Sequence, residues 1–521
     1  MRAQAQTILI LIFLLGSCRL IAQSPQLLLH SKDGWDTPLN MKEMHVQTVF
    51  VSDRAYTTYR LKYANSTDSE GTGTFRFYLK AGLTPRRFAV KLTSGWREAE
   101  MVERTQDERA IQASLFFSEL QLRQYLFEEE VFQIPPEGEY EVIFTYEEKL
   151  LTKENHYHYQ LPIAVESPLD SFSVHLEGLL VEPVIEGNTY QMRFEEKQGL
   201  VGGRFQETAF KGYDPLVVKI PRKSAVERHV GRGKVTKDYY FYANISLPDS
   251  LARAKPQAVC LIWDQSHSAG QKQVEKELSF LNNYFSQLGE FELRLITFTT
   301  QVESDHTFKI KDGNWLAAKA IIRQLNYDGA TNYGCLALPS IQTDLFIIST
   351  DGEFTIGQGS LPLSKTPVIS ILSSEVANAI APWHWAKQTN GNVIELLKES
   401  TRERYHKLVN FPIQFLSASY DTSQIALVYP TEAQLLQPNF SFTGRLKTKK
   451  GAITLNFKLG EQTFSKKIVL RKNTHVYGHR IEDIWAHSEI KSLIKRTEKQ
   501  PNSLYRKFIV GLSRIYKVPT P

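Results

Sequence analysis

Between residues 238 and 410 the hydrophobic period of the chain changes, and this change limits the fold more than any other feature. Short apolar runs are found at AVCLIWD (258–264), FELRLITFTT (291–300), DLFIISTD (344–351), PVISILSS (367–374) and GNVIELL (391–397). Between the first two, Val274, Leu278, Leu281, Phe285 and Leu288 recur every three or four positions. Trp315, Ala318, Ile322 and Leu325 do the same further on. Each set marks one apolar face of a helix. Short strands alternating with helices predict an α/β unit with a parallel sheet.

On both sides of this unit the period is two. Residues 24–165 alternate apolar and polar positions, as in MHVQTVFVSDRAYTTYRLKY, FAVKLTSG and EVFQIPPEGEYEVIFTYEEKL. That pattern predicts strands. The charged stretch at 96–127 interrupts it and reads as helical in its second half. Residues 166–237 add strands such as SFSVHLEGL and PLVVKI, and PRKSAVERHVGRGK (221–234) reads as a polar linker or exposed loop. Alternation returns over 411–480, and the chain reads as helical from about Ile481 to its end. The expected layout is multidomain α/β and all-β. A central Rossmann-like parallel-sheet domain (238–410) lies between β-sandwich-like domains (24–165 and 411–480). A β extension or linker (166–237) and a helical segment (481–521) complete it.

Residues 1–23 read as a signal peptide. Arg2 precedes the apolar run Thr7 to Leu15, too short for the roughly 20 residues of a membrane helix but suited to a signal-peptide core. Cleavage is expected near Ala22–Gln23. The tetrapeptide LGSC also resembles a lipobox, in which Cys18 would be lipidated. Either route exports the chain to the periplasm, cell envelope or medium, and no later run is long enough to span a membrane. Beyond Cys18 only Cys260 and Cys335 remain. They are expected as free thiols, which favours a bacterial envelope protein over a disulfide-stapled extracellular one. The net charge of +6 comes from 62 basic and 56 acidic residues with no long basic block, so nucleic-acid binding gains no support.

In a parallel sheet, loops at the carboxyl ends of the strands form the ligand crevice. Three such loops carry oxygen side chains: Asp264-Gln-Ser266-His-Ser268, the turn DGATNYG with Thr331, and STDGE with Asp351. Two carboxylates and three hydroxyls suit a hard cation such as Mg²⁺, with Mn²⁺ or Ca²⁺ as alternatives. A coordination position left open would accept a carboxylate from a protein partner.

The order Asp-x-Ser-x-Ser, then Thr 67 residues after Asp264, then Thr-Asp-Gly with its Asp 20 residues further on, resembles the von Willebrand factor A domain. The resemblance implies that Asp264, Ser266, Ser268, Thr331 and Asp351 form a metal-ion-dependent adhesion site. IAPWHWAKQTNGNVIEL looks like the late helix, turn and final strand of that family. TSGWREAEMVERTQDERAIQ resembles the vault/inter-α-trypsin domain, and the tail from IEDIWAHSEI to Pro521 resembles the C-terminal segment of the same proteins. The whole chain is thus similar to a bacterial protein of inter-α-trypsin inhibitor heavy-chain architecture, a family in which a further strand follows the last proline.

Other candidates are weaker. Thr350 reads as a strand residue, Glu353 as a solvated loop charge and His267 as an exposed side chain. His156 and His158 could pair on one strand face for a transition metal, but exposed strand histidines are the commoner case. VGGRF is too short for a phosphate loop. Ser266 and Ser268 lack the base and orienter that a nucleophile needs. No catalytic residue is assigned. The expectation is a non-enzymatic binding protein that captures an acidic side chain. A cell-envelope scaffold is the alternative, and a metal-dependent hydrolase is a more distant one.

Overall fold

The structure is a computed structural model describing residues 24–30, 36–68, 70–80, 82–99, 124–165, 167–187, 189–212, 214–247, 251–356, 361–436, 439–472, 478–499 and 503–516. The signal-peptide region, Cys18, most of the helical reading at 96–127 and the last residues before Pro521 lie outside these.

The central domain is a six-stranded sheet: β1 (Ala258–Asp264), β2 (Phe291–Phe298), β3 (Val302–Ile310), β4 (Leu345–Ser349), β5 (Val368–Leu372) and β6 (Asn392–Glu395). Its spatial order is β3-β2-β1-β4-β5-β6. All neighbours are parallel except β2 and β3. Helices α1 (Val274–Leu288), α2 (Leu316–Arg323), α3 (Ile380–Thr389) and α4 (Thr401–Val409) cover it. Residues along β1 alternate between two cores. Val259, Leu261 and Trp263 pack with Leu278 and Phe285 of α1 and with Ala318 of α2. Cys260 and Ile262 face Trp385 of α3. A strand buried on both faces reads as a continuous apolar run, which is why β1, β4 and β5 were legible. The stripes of α1 and α2 fall on the observed helices.

Two elements of this domain carry almost no apolar signal. β3 is an edge strand with mostly exposed residues. In α4 only Leu408 is buried; a capping box between Ser400 and Glu403 starts the helix.

The central domain is an insertion in a β-sandwich. One sandwich sheet pairs Val226–Arg232, Tyr239–Ser246, Asn439–Leu446 and Ile425–Tyr429, in that order. The other comprises Gln434–Leu435, Ile413–Tyr420, Lys450–Leu459 and Gln462–Arg471. Phe241, Phe415, Phe440, Phe442 and Phe457 share their core. Entry to and exit from the inserted domain are tied together: Arg253 N–H donates to Val409 O (2.8 Å) and Phe411 N–H to Leu251 O (2.9 Å). This differs from the sequence reading in two ways. Residues 239–246 belong to the sandwich rather than to the central domain. The expected linker 221–234 contains a strand in which Glu227, His229, Val230 and Gly231 are buried. Its charged side chains disguise it because their partners lie in other parts of the chain.

The N-terminal sandwich sets an eight-stranded sheet against two four-stranded ones around one core. Leu169–Leu179 joins this sheet beside Asn40–Val51, and Leu216–Pro221 pairs with His156–Leu161. Much of 166–237 is therefore part of this sandwich. Gln124–Ile134 is a strand, so the helical reading fails over 124–127. α5 (Gly478–Lys499) and α6 (Ser503–Tyr516) complete the fold. Ile481, Ile484 and Trp485 of α5 pack with Val49 and Tyr56 of the N-terminal sandwich and Tyr240 and Tyr242 of the second.

A buried polar cluster also joins the sandwiches. Asp53 accepts from Tyr242 Oη, Asn244 Nδ2 (3.0 Å) and Ser441 Oγ (2.8 Å). Arg222 donates to Tyr157 Oη (3.1 Å), Ser246 Oγ (2.6 Å), Asn439 Oδ1 (2.7 Å) and Asn244 Oδ1 (2.8 Å). Glu227 accepts from Tyr157 Oη at 2.8 Å. Charged groups out of water need this degree of pairing.

Candidate functional site

β1 lies between β2 and β4, so the connections from β1 to β2 and from β3 to β4 run to opposite sides of β1. The carboxyl ends of β1 and β4 flank such a switch point, where α/β sheets hold their ligands. Asp264 ends β1, and Asp351 follows β4 by two residues. Asp264, Ser266, Thr331 and Asp351 are buried, and Ser268 is partly exposed.

Each residue is held by its loop. Asp264 Oδ1 accepts from Ser266 N–H at 3.0 Å, which turns the chain sharply after β1. Ser266 Oγ and Ser268 Oγ lie 3.5 Å apart. The Thr331 turn is fastened to both neighbouring loops. Gly329 O accepts from His267 N–H (3.0 Å), and Thr331 O accepts from Thr355 N–H (3.1 Å) and Ile356 N–H (3.2 Å). Asp351 O accepts from Asn378 N–H at 2.7 Å, and Asp351 Oδ1 from Glu353 N–H at 3.1 Å. Gly352 permits this approach, with φ of +78° and no room for a Cβ, which would lie 1.8 Å from Asn378 O.

Burial raises the Asp351 carboxyl above its ordinary pKa. A hydrogen bond from Ser268 opposes the rise, and the Asp264 charge adds to it. Thr331 Oγ1 is buried and has no hydrogen-bond partner. Buried hydroxyls are seldom left so. A hard cation held by carboxylate and hydroxyl oxygens would meet that need, so the donor chemistry fits one. Among the described residues no group of three or more His, Cys, Asp or Glu gathers as a metal centre. His267 is exposed. His156 and His158 are partly exposed on one strand, Glu353 is exposed, and Cys260 and Cys335 are free thiols.

Three contributors to the site were not assigned to it from the sequence. Thr350 Oγ1 donates to Asp264 Oδ2 at 2.7 Å, and Tyr333 Oη lies 2.8 Å from the same hydroxyl. Thr350 therefore orients Asp264. The third is Lys272, whose side chain is buried between the strand ends. Its Nζ donates to Asp264 O (2.8 Å), Ser349 Oγ (2.8 Å) and Ser349 O (3.2 Å), and lies 4.5 Å from the centre of the Trp263 ring. Ser349 and Ser373 both donate to the buried Glu277 carboxylate of α1. Lys272 and Glu277 thus tie the tips of β1, β4 and β5 to α1. Burial lowers the Lys272 pKa and raises that of Glu277, each opposed by the other's charge. Nothing in the local sequence GQKQ distinguishes Lys272 from a surface lysine.

No protein-family profile matches the chain, and no curated protein matches it. Among solved structures it is similar to a von Willebrand factor type A protein from Catenulispora acidiphila, with 11% identity, 52% of this chain and 80% of that one covered, and a TM-score of 0.30. It is also similar to an aerotolerance-related membrane protein from Bacteroides fragilis NCTC 9343, with 16% identity, 29% of this chain and 96% of that one covered, and a TM-score of 0.23. At such scores the class rests on the domain's own architecture. A doubly covered sheet of order β3-β2-β1-β4-β5-β6, with one antiparallel edge strand, is a von Willebrand factor A-like fold.

Proposed function

We propose that the chain is an exported, non-enzymatic binding protein whose central domain captures a carboxylate of a protein partner through a divalent cation. The observation that carries this reading is the unpartnered Thr331 hydroxyl, buried on one of three loops that also present Asp264, Ser266, Ser268 and Asp351. Mg²⁺ is the best match for this oxygen set, with Mn²⁺ and Ca²⁺ as alternatives. When bound, such a cation supplies a concentrated positive charge with a position open to an outside oxygen. Asp264 and Asp351 would balance that charge, and the three hydroxyls would hold it directly or through water. Thr350 and Lys272 fix the loops from behind. The same reading takes the N-terminal sandwich as vault/inter-α-trypsin-like and the leader as a signal peptide or a lipid anchor at Cys18.

No helix among the described residues is long and apolar enough to cross a membrane. A scaffold role is the second reading, favoured by the Asp53–Arg222–Glu227 cluster and α5, which fix the two sandwiches to each other. Water-proton relaxation with Mn²⁺ tests the first reading. Mn²⁺ held at a site with an open position should enhance relaxation, and the Asp264→Ala form should lose the effect. No enhancement with the unaltered protein would remove the metal from the account and leave the scaffold.

A further inference from the structure

A cleft outside the central domain opens where three parts of the fold meet. Its volume is about 440 Å³, within the range of small-molecule sites, which favour such junctions. One wall is the N-terminal sandwich, with Tyr56 and Arg86. A second is the turn before Tyr239–Ser246, with Val235. The third is α5 and α6, with Arg480, Asp483 and Ile515. Three of these side chains bury a polar atom that has no hydrogen-bond partner: Arg86 Nη1, Arg480 Nε and Tyr56 Oη. The Arg86 side chain is only 7% exposed. Its other nitrogens, Nε and Nη2, both donate to Glu147. Arg480 Cζ lies 4.8 Å from the centre of the Tyr56 ring, and the Arg86 charge acts on the Tyr56 phenol. Burial raises that phenol well above its ordinary pKa, so it keeps its proton. The cleft therefore gathers three donors and no acceptor for them. Buried donors are seldom left so.

The carboxylates nearby are engaged elsewhere. Glu147 is shared between Arg86 and Arg54, whose Nη1 lies 2.8 Å away. Glu482 accepts from Val235 N–H (3.0 Å), Thr236 N–H (3.1 Å) and Tyr516 Oη (3.2 Å). Asp483 Oδ2 lies 3.5 Å from Arg480 Nη1, and burial pushes its carboxyl up to about 6. Positive potential remains in excess behind the wall. Burial, Arg54 and Arg86 draw the Lys491 ammonium down to about 8 against the pull of Glu147. Such donors and such a surplus suit an anion. Because Glu482 and Asp483 also line the cleft, a single negative charge fits it better than the double charge of a phosphate. Val235 and Ile515 are 49% and 55% exposed and offer an apolar body a place to rest.

We infer that this cleft binds a small organic acid by its carboxylate, with Arg86, Arg480 and Tyr56 as donors and Val235 and Ile515 against the apolar body. The site needs no metal and stands apart from carboxylate capture by the central domain.

The test uses the full chain in EDTA, which takes any metal-dependent capture out of the measurement. Calorimetry compares 3-phenylpropanoate with its neutral amide, with acetate and with inorganic phosphate. The phenylpropanoate should bind saturably and about tenfold or more tighter than the amide, the worth of charge-assisted hydrogen bonds. Acetate, which lacks the apolar body, should also bind more weakly. Tyr56→Phe removes only the orphan hydroxyl and should weaken binding about fivefold without lowering the thermal midpoint. Arg480→Gln should abolish binding, whereas Asp264→Ala should leave it unchanged. No saturable binding of phenylpropanoate, equal binding of the amide, or affinity untouched by both Tyr56→Phe and Arg480→Gln would overturn the proposal. Tighter binding of inorganic phosphate than of phenylpropanoate would overturn the assignment to an organic acid.

Discussion

Two buried polar clusters in this molecule do opposite things with the same kinds of atom. Between the sandwiches, Asp53, Arg222, Glu227 and Asn244 are matched with hydroxyl, amide and phenol partners. None of these four side chains has a buried polar atom without a hydrogen bond. At the tips of β1 and β4 the matching is incomplete. Asp264 and Asp351 oppose each other's charge, and Thr331 Oγ1 has no partner. A satisfied network fixes a geometry, whereas a buried polar group without a partner calls for one. The difference separates a joint from a site, and it can be tested cluster by cluster.

The largest expected effect is at the joint. Asp53→Ala removes the acceptor of three buried donors and should cost about 3 kcal/mol in chemical denaturation. Mg²⁺ affinity of the folded fraction should not change. A loss below about 1 kcal/mol would mean the cluster does not fix the sandwiches. At the site the pattern should reverse. Asp264→Ala should weaken Mg²⁺ binding at least about 100-fold while lowering metal-free stability by only about 1 kcal/mol, the worth of the bonds from Ser266 N–H and Thr350. Added metal should stabilise the unaltered chain by about 2.7 kcal/mol at 100 times its dissociation constant. Thermal scans in EDTA and in Mg²⁺ read this directly, and an Asp53 variant that still folds should show the same increment. The smallest effect is the sharpest. Thr331→Val removes the orphan hydroxyl at similar volume, so metal-free stability should rise by about 1 kcal/mol while Mg²⁺ affinity falls. A drop in metal-free stability would show that the hydroxyl already has a partner.

The two clusters were also unequally legible in the sequence. β1, β4 and β5 announce themselves because strands buried on both faces are apolar without interruption. Asp264 ends β1 and Asp351 follows β4, as the strand-end reading expected, whereas Thr331 lies in the loop after α2 rather than at a strand end, and only its spacing in the family resemblance pointed to it. The joint was hidden. Its first strands, Val226–Arg232 and Tyr239–Ser246, are separated by the inserted domain from Asn439–Leu446, with which they share a sheet. No local period reports such a pairing. The charged residues of 221–234 read as solvated because Tyr157 and Asn439, which accept from Arg222, lie far away in sequence. Lys272 and Thr350 were missed for a similar reason. A lysine among glutamines and a threonine after a strand reveal nothing until burial is known.

The central claim is that the strand-tip cluster is a divalent-cation site. Calorimetric titration of Mg²⁺ into the chelator-stripped chain, beside the Asp264→Ala form, tests it most directly. The account predicts saturable binding at a single site in the unaltered chain and none in the variant. Absence of binding in the unaltered chain, or equal binding in both forms, would contradict it.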